Sequence, residues 1–241
     1  MGQKKLVRFE ELASFPNVFQ YPENIAGNWS SVFTNKNSIT LELACGKGEY
    51  AVGMAEFYPE RNFIGVDQKG NRIWVGAKKA ISKELKNVAF LRSQIDRIAT
   101  YFAPNEVEEI WLTFPDPQLR ASKHKKRLTH PKFLRLYQSF LQTDARIHLK
   151  TDSPVLYNFT LEVISIYQLN LIFATDNLYA APLLKKELNI KTHYEGLDIS
   201  GSNRIHYLCF SLNNAVLSED KDALLKTWVF DYEKAHIEDY R

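Results

Sequence analysis

One stretch near the start of the chain constrains the fold more than any other. Residues 39–44 are apolar enough for a buried strand, and a turn that contains Gly46 and Gly48 separates them from a helix-forming run that begins at Glu49. Glycine adopts positive φ and has no Cβ, so a ligand can lie directly against the backbone of such a turn. A second short apolar strand ends in Asp67, where a βαβ unit places an acid that can accept both hydroxyls of a ribose. The turn, the helix and the acid together predict a nucleoside site.

Apolar strands alternate with amphipathic helices along most of the chain. The pattern predicts strands at 39–44, 62–67, 88–92, 109–114, 146–150, 169–174 and 204–212, and helices at 47–57, 70–85, 131–141 and 155–167. This alternation is typical of an α/β protein with a mainly parallel twisted sheet and helices on both faces. In such sheets ligands bind beyond the carboxyl ends of the strands.

The regular pattern covers only the middle of the chain. Residues 1–37 contain prolines and many polar residues, which predicts an irregular arm laid over the core with room for one short helix. Residues 38–212 form the predicted α/β domain. Residues 213–241 are predicted to form an amphipathic helical tail that packs outside the core.

Composition restricts the class of protein. A chain of 241 residues with 45% hydrophobic content suits one sizeable α/β core, and a net charge of +3 does not by itself indicate a nucleic-acid partner. Two cysteines, with no metal-ligand spacing to the histidines, predict no disulfide framework, no metal site and a reducing, cytoplasmic setting. The sequence shows no signal peptide and no apolar run of membrane-spanning length, so we expect no membrane partner. The oligomeric state stays open between monomer and homodimer.

The acids around the glycine turn indicate the kind of ligand. The Gly-x-Gly-x-x-Gly spacing of dinucleotide sites is absent, and Glu42 lies within the first strand of the domain. An acid at that position suits a ligand with a positive amino group, which a pyrophosphate lacks. S-adenosylmethionine carries such an amine and a sulfonium cation. We therefore expect Glu42 near the methionine end of this cofactor and Asp67 on its ribose; the alternative is an ordinary strand-to-helix turn.

Two further acids follow predicted strands. Asp116 stands between two prolines after the strand at 109–114, and prolines on both sides force a rigid, extended exit from that strand. A carboxylate fixed there can accept hydrogen bonds from guanine N1–H and its exocyclic amine, and can stabilise positive charge on the purine. The alternative for Asp116 is a plain turn acid. Asp152 follows the strand at 146–150 and can serve as a helix N-cap, a functional acid or both.

A basic run follows Asp116. No acid occurs between Pro117 and Thr143, and the run begins directly at the predicted crevice. Charge runs are usually solvated faces. At this position, however, a local positive field favours a phosphate-bearing substrate such as RNA. The residues expected to contact RNA are Arg120, Lys123, Lys125, Lys126 and Arg127.

Five segments together resemble the bacterial tRNA (guanine-N7-)-methyltransferases over about residues 38–212. They are Leu-Glu-Leu-Ala-Cys-Gly-Lys-Gly-Glu at 41–49, Phe-Ile-Gly-Val-Asp at 63–67, Phe-Pro-Asp-Pro at 114–117, Lys-Arg-Leu-Thr-His-Pro at 126–131 and Lys-Thr-Asp at 150–152. The resemblance implies a Rossmann-like class I methyltransferase fold, S-adenosylmethionine as methyl donor, and the variable-loop guanine of tRNA as acceptor. By position it implies that Glu42, Asp67 and Asp116 contact the cofactor, with Asp116 also at the catalytic centre. It assigns substrate contacts to Arg120, Asp152, Thr192, Tyr194 and Glu195.

The chain departs from the family pattern at two places. Gln118-Leu119-Arg120 replaces the usual Trp-Pro-Lys, which removes an aromatic ring that could stack on RNA. Ser93-Gln94 replaces the usual Gly-Asp, so we expect Gln94, or Asp96 one turn later, to meet the adenine. These departures leave two other functions open: a small-molecule methyltransferase of the same fold, and a non-catalytic tRNA-binding protein that retains the fold.

Overall fold

The computed structural model describes residues 2–180, 185–197 and 204–236, with side chains from residue 7 onward. The strands are β1 (Val18–Gln20), β2 (Ile39–Leu43), β3 (Asn62–Asp67), β4 (Val88–Arg92), β5 (Val107–Thr113), β6 (Leu141–Thr151), β7 (Asn170–Thr175) and β8 (His206–Ser211). The α-helices are α1 (Gly2–Ser14), α2 (Trp29–Phe33), α3 (Glu49–Phe57), α4 (Gly70–Ser82), α5 (Pro131–Gln138), α6 (Pro154–Tyr167) and α7 (Asp222–Ala235).

All eight strands belong to one sheet, in the order β1-β4-β3-β2-β5-β6-β8-β7. Strands β1 to β6 pair in parallel, and β8 pairs antiparallel with both β6 and β7. After β2, the strands β3 and β4 are added in turn on one side of it, and the chain then crosses over so that β5 pairs with the other side of β2. This reversal between β2 and β5 is a topological switch point, where a doubly wound sheet opens a crevice. The predicted mainly parallel α/β fold is confirmed.

The centre of the sheet is buried on both faces, whereas the edge strand β7 is mostly exposed. Every residue of β2 and of β3 is buried, including the polar residues Thr40 and Glu42, as expected of parallel strands covered on both faces. One core cluster packs α3 and α4 on the sheet around Phe63, Phe90 and Trp111. The other packs α2, α5, α6 and α7 on the opposite face. The amphipathic helix predicted in the tail is present as α7, but Leu225 and Val229 are buried in that second cluster. The prediction that this helix packs outside the core is therefore wrong.

The N-terminal segment differs from the predicted irregular arm. Helix α1 packs on α4, and β1 extends the sheet by pairing in parallel with β4. Trp29 is fully buried and its Nε1 donates to the carbonyl oxygen of Tyr101 at 2.8 Å. The prediction of an irregular arm is wrong because a three-residue strand depends on its partner strand and carries too little pattern of its own. The division of the chain at residues 37 and 212 stays a prediction.

Two helix caps also differ from what the sequence predicts. By residue type Thr129 is the expected N-cap of α5, but His130 caps this helix, because its Nδ1 accepts from the backbone N of Lys132 at 3.0 Å. Ser153, and not Asp152, caps α6, because its Oγ accepts from the backbone N of Leu156 at 3.3 Å. The capping alternative for Asp152 is therefore wrong. A histidine cap is hard to foresee, since Ser, Thr, Asp and Asn are the usual caps.

Candidate active site

The carboxyl ends of β2, β3, β5 and β6 meet at one edge of the sheet, on both sides of the switch point. Two residues without the freedom of glycine have left-handed backbones there: Ala44 after β2 has φ 57°, and Phe114 after β5 has φ 49°. Such conformations cost free energy and persist where the surrounding structure fixes them, which is common at functional sites. The chain therefore turns sharply at both walls of the crevice.

Asp67 lies against the glycine turn. Its Oδ2 accepts from the backbone N of Gly46 at 3.0 Å, and its Oδ1 accepts from the backbone N of Lys69 at 2.7 Å. Each carboxylate oxygen can accept a second hydrogen bond. Gly48 has φ 68°, and a Cβ there would lie 2.4 Å from Cε1 of Phe90, so both conformation and packing require glycine. The turn and the acid that the sequence assigns to one nucleoside site are thus in direct contact, and the assignment of Asp67 to a ribose stays a prediction.

The side chain of Glu42, in β2, contacts both α3 and the neighbouring strand β5 at the switch point. This side chain is 1% exposed; Oε2 accepts from the backbone N of Ala51 at 2.8 Å, and Oε1 accepts from Oγ1 of Thr113 at 2.9 Å. Burial raises the pKa of the Glu42 carboxyl to about 8, and the charges of Glu49 and Asp67 add to this effect. The carboxyl is therefore largely protonated at neutral pH until a cation approaches it.

Replacing Glu42 by glutamine should flatten the dependence of stability on pH. The carboxyl has a pKa of about 8 in the folded chain and about 4.3 in an unfolded chain, so the folded state binds the extra proton between these values. Stability of the wild type therefore falls as pH rises through this window. In thermal unfolding from about pH 5 to about pH 8.5, the melting temperature of Glu42→Gln minus that of the wild type should increase steadily with pH. A difference in melting temperature between the two proteins that stays constant across this pH range would contradict the raised pKa of Glu42.

The segment after β5 carries Asp116 to the rim of the crevice. Its side chain is exposed, and Oδ1 accepts from the backbone N of Gln118 at 3.0 Å. The backbone N of Phe114 donates to the carbonyl oxygen of Lys150 at 2.8 Å, so the segment starts beside the end of β6. Gln118 has φ 47°, a second left-handed residue within five positions.

The basic run folds into a short 3-10 helix, Ala121–Lys126. The side chains of Lys123, Lys125 and Lys126 in this helix are exposed, and so is that of Arg120, which precedes it. Helix α7 holds this 3-10 helix, because the backbone N of Ala121 donates to Oε1 of Glu233 at 3.0 Å. Burial lowers the pKa of His124, whose Nδ1 lies 2.7 Å from the carbonyl oxygen of Ala121.

Arg127 differs from the other predicted RNA-contacting residues. It is 1% exposed, and its guanidinium donates to the carbonyl oxygens of Pro117, Gln118 and Leu119. Its place in a basic run suggested a surface position, which the structure contradicts. A run of like charges does not tell which of its members turns inward.

The two candidates for the adenine contact lie in different surroundings. Gln94 is exposed directly after β4, where the backbone N of Ser93 donates to the carbonyl oxygen of Asp67 at 3.1 Å. Asp96 is exposed too, but its carboxylate forms an ion pair with Lys132 on α5. The position therefore favours Gln94, and both assignments stay predictions.

Residues 192–195 lie over the glycine turn. The ring of Tyr194 packs beside Gly46, and Thr192 Oγ1 accepts from the backbone N of Glu195 at 3.1 Å. The backbone N of His193 donates to Oε1 of Glu49 at 3.4 Å. The structure thus brings this predicted substrate segment next to the predicted cofactor turn.

Lys150, at the end of β6, was not predicted as a site residue. It is fully buried, and its Nζ donates to Oε2 of Glu195 at 2.9 Å, to the carbonyl oxygens of Leu188 and Ile190, and to the hydroxyl of Tyr179. The Tyr179 hydroxyl also bonds to Glu195. Little in the sequence signals this role, because Lys150 ends the predicted strand at 146–150 and a lysine at a strand end is usually exposed.

Cys45 lies in the glycine turn and is buried. Burial, with the charges of Glu42 and Asp67, raises the pKa of the Cys45 thiol, as expected of a packing residue. Over the ranges 2–180, 185–197 and 204–236, no group of three His, Cys, Asp or Glu is placed to hold a metal ion. In the same ranges, no helix combines the length and apolar character that crossing a membrane requires.

Solved structures of methyltransferases share this fold. A 16S rRNA methyltransferase, KamB, superposes with a TM-score of 0.58 at 14% identity, covering 77% of this chain and 93% of that chain. A 30S ribosomal methyltransferase from an uncultured bacterium superposes with a TM-score of 0.56 at 16% identity, over 77% and 93%. At this level of identity the likeness establishes the class I methyltransferase fold and nothing finer.

The sequence comparisons are more specific. The family model described as "Putative methyltransferase" matches residues 36–208. A tRNA (guanine-N(7)-)-methyltransferase of Bacteroides thetaiotaomicron is 43% identical over 231 residues, covering 92% of this chain and 91% of that protein. A protein of the same name from Christiangramia forsetii is 43% identical and covers 88% and 100%. With these matches, and with the predicted motifs gathered around one crevice, the chain belongs to the tRNA (guanine-N7-)-methyltransferase family.

Proposed function

We propose that this chain transfers a methyl group from S-adenosylmethionine to N7 of a guanine in the variable loop of tRNA, in the cytoplasm. The observation that carries the proposal is the identity of 43%, over nine-tenths of both chains, with a relative that bears the name of this activity. The crevice supports it because acids suited to a cationic nucleoside adjoin a basic surface suited to RNA.

The residues of the crevice fit S-adenosylmethionine. The two oxygens of Asp67 each accept one backbone N–H and keep capacity for the ribose hydroxyls. Glu42 has a raised pKa, which a nearby ammonium group would lower. We assign the cofactor to these acids, to the backbone of Gly46 and Gly48, and to Gln94. When bound, it supplies a methyl group activated by its sulfonium.

The acceptor needs no general base, because guanine N7 carries a lone pair and no proton. The protein has to align N7 with the methyl carbon at about 3–3.5 Å. Asp116 is exposed at the rim, where its carboxylate can accept from guanine N1–H and the exocyclic amine. Adenine offers no matching pair of donors. As the ring becomes positive, this carboxylate stabilises the transition state.

The RNA contacts are assigned to the rim on both sides of Asp116. The side chains of Arg120, Lys123, Lys125 and Lys126 are exposed and can approach phosphates. Asp152 and residues 192–195 border the same crevice. Gln118, which is half-buried, occupies the place of an aromatic residue in the family pattern, so charge contributes more to holding RNA here than stacking does.

Replacing Lys123, Lys125 and Lys126 together by glutamine should weaken tRNA binding and flatten its salt dependence. Each phosphate that a lysine neutralises releases condensed counterions, so the slope of log Kd against log salt should fall by about 0.7–0.9 for each phosphate that the variant no longer neutralises. Filter binding of unmodified tRNA at several salt concentrations measures the slope.

The matched control replaces Lys36, Lys83 and Lys86, which are exposed near the amino-terminal ends of the parallel strands, at the opposite edge of the sheet. This control removes the same charge and should leave the slope near that of the wild type. Equal slopes for the loop variant and the wild type would make the basic run an ordinary solvated surface.

The direct test incubates the purified protein with unmodified tRNA and methyl-labelled S-adenosylmethionine, then maps the label by chain cleavage at 7-methylguanosine. A single cut in the variable loop is the expected result. Label at another base would contradict the assigned acceptor while keeping the class of reaction. Cofactor binding without label in tRNA would favour a small-molecule methyltransferase or a non-catalytic tRNA-binding protein.

A further inference from the structure

The buried guanidinium of Arg127 is joined to Asp116 through a single peptide group. Arg127 Nε donates to the carbonyl oxygen of Pro117 at 3.1 Å. The backbone N of Gln118, in the same peptide unit, donates to Oδ1 of Asp116 at 3.0 Å. Because the peptide unit is planar and rigid, the orientation of its C=O fixes the orientation of its N–H. The position of the Arg127 side chain therefore fixes the direction of the Gln118 N–H, which in turn orients the Asp116 carboxylate.

The guanidinium also holds the next two peptide groups. Arg127 Nη2 donates to the carbonyl oxygens of Gln118 and Leu119, each at 3.2 Å, and the Phe159 ring lies 4.5 Å from the guanidinium carbon. The planar guanidinium carries five donors in a rigid fork, so it holds these three consecutive carbonyls in fixed directions. A lysine would keep the charge without this geometry.

The segment needs such support because its backbone is strained. Phe114 and Gln118, on either side of Asp116, both have left-handed φ values, 49° and 47°. Conformations of this kind cost free energy and persist when surrounding contacts over-determine them. The three carbonyls bound by Arg127 belong to the second of these turns.

We infer that Arg127 is a positioning residue that fixes the carboxylate of Asp116 and is not a phosphate contact like its neighbours in the basic run. The inference rests on the proposed function, since it gives Arg127 its effect through the methyl transfer assigned to Asp116. A phosphate contact requires an exposed cation, and Arg127 is 1% exposed while Lys125 and Lys126 are exposed.

The test compares Arg127→Lys with the wild type in single-turnover methyl transfer at saturating tRNA and cofactor. If Arg127 orients Asp116, the single-turnover rate falls at least about tenfold, although the charge is kept. The Kd values for tRNA and for S-adenosylmethionine stay within about threefold, which also shows that the variant is folded. If Arg127 bound phosphate, the lysine would replace it with little change in rate.

Two further variants separate the alternatives. In the Asp116→Asn background, the effect of Arg127→Lys should shrink to less than about threefold, because both changes act on one group. Arg127→Gln should keep the salt slope of tRNA binding, while Lys126→Gln lowers it. Three results would overturn the inference. The first is a wild-type single-turnover rate for Arg127→Lys, and the second is a double variant whose rate loss equals the product of the losses from Asp116→Asn and Arg127→Lys. The third is a salt slope for Arg127→Gln as low as that of Lys126→Gln.

Phe159→Leu keeps the arginine and removes the ring beside it, so it provides a milder variant if Arg127→Lys does not fold. It should lower the single-turnover rate without changing the salt slope, and an unchanged rate would count against the inference. Absence of methyl transfer by the wild-type protein itself would refute the proposed function, which is a distinguishable result.

Discussion

Replacing Asp116 by alanine should lower methyl transfer to tRNA by at least about 10²- to 10³-fold, the range observed when a fixed group that stabilises transition-state charge is removed. In the proposed mechanism this carboxylate stabilises the positive charge that develops on the guanine ring, and its two oxygens accept from the base to orient it. Its exposure means that the alanine substitution disturbs little packing. We therefore expect the Kd for S-adenosylmethionine and the melting temperature to stay near their wild-type values.

The measurement is the single-turnover rate, with cofactor affinity determined separately by calorimetry. Asp116→Asn keeps the shape and one acceptor oxygen but removes the charge, so its rate should lie between those of alanine and wild type. Asp144→Asn removes an exposed acid from the first half of β6, away from the crevice, and serves as the matched control. Near-normal turnover by Asp116→Ala would remove this residue from the mechanism.

The central strands could be predicted because burial on both faces leaves a strong signal. The sequence predicts β3 and β4 with the same bounds that the structure has, Asn62–Asp67 and Val88–Arg92. Parallel strands covered by helices are short apolar runs with polar residues at their ends. The glycine turn and the acid after β3 follow from the same pattern, since a βαβ unit places both at one edge.

The contacts that organise the rim could not be predicted in the same way. Arg127 and Lys126 are adjacent cations in one basic run, yet one is buried and the other exposed. Which of them turns inward depends on three carbonyls and the Phe159 ring, which the fold brings together from distant positions. Similarly, β1 has only three residues, and its place in the sheet is set by pairing with β4.

Lys150 shows how a residue without a predicted role can join two parts of the site. Its ammonium is fully buried and paired with Glu195, and burial lowers its pKa while the ion pair opposes that change. Through Glu195 it holds residues 192–195, whose Tyr194 packs beside Gly46. The bond from Phe114 N to the carbonyl oxygen of Lys150 ties the same residue to the segment that carries Asp116.

Replacing Lys150 by methionine should therefore destabilise residues 185–197 and weaken cofactor binding as well as methyl transfer. Removing one partner of a buried ion pair leaves an unpaired charge and costs about 3–5 kcal/mol. That cost should appear locally, because the segment can detach and let Glu195 reach water while the sheet stays folded. Hydrogen exchange of residues 185–197 measures the local opening, and the Kd for S-adenosylmethionine should rise at least about tenfold, since detachment of Tyr194 uncovers the glycine turn.

The double variant Lys150→Met with Glu195→Gln distinguishes the effect of the ion pair from the effect of packing. It removes both charges and keeps similar side-chain volumes, so its residues 185–197 should regain much of the exchange protection that Lys150→Met alone lacks. Recovery of exchange protection and cofactor affinity without recovery of tRNA methylation would show that Glu195 also contacts the RNA, as the family resemblance implies. Unchanged protection in Lys150→Met itself would mean that other contacts hold residues 192–195 over the turn, and that Lys150 only fills the end of β6.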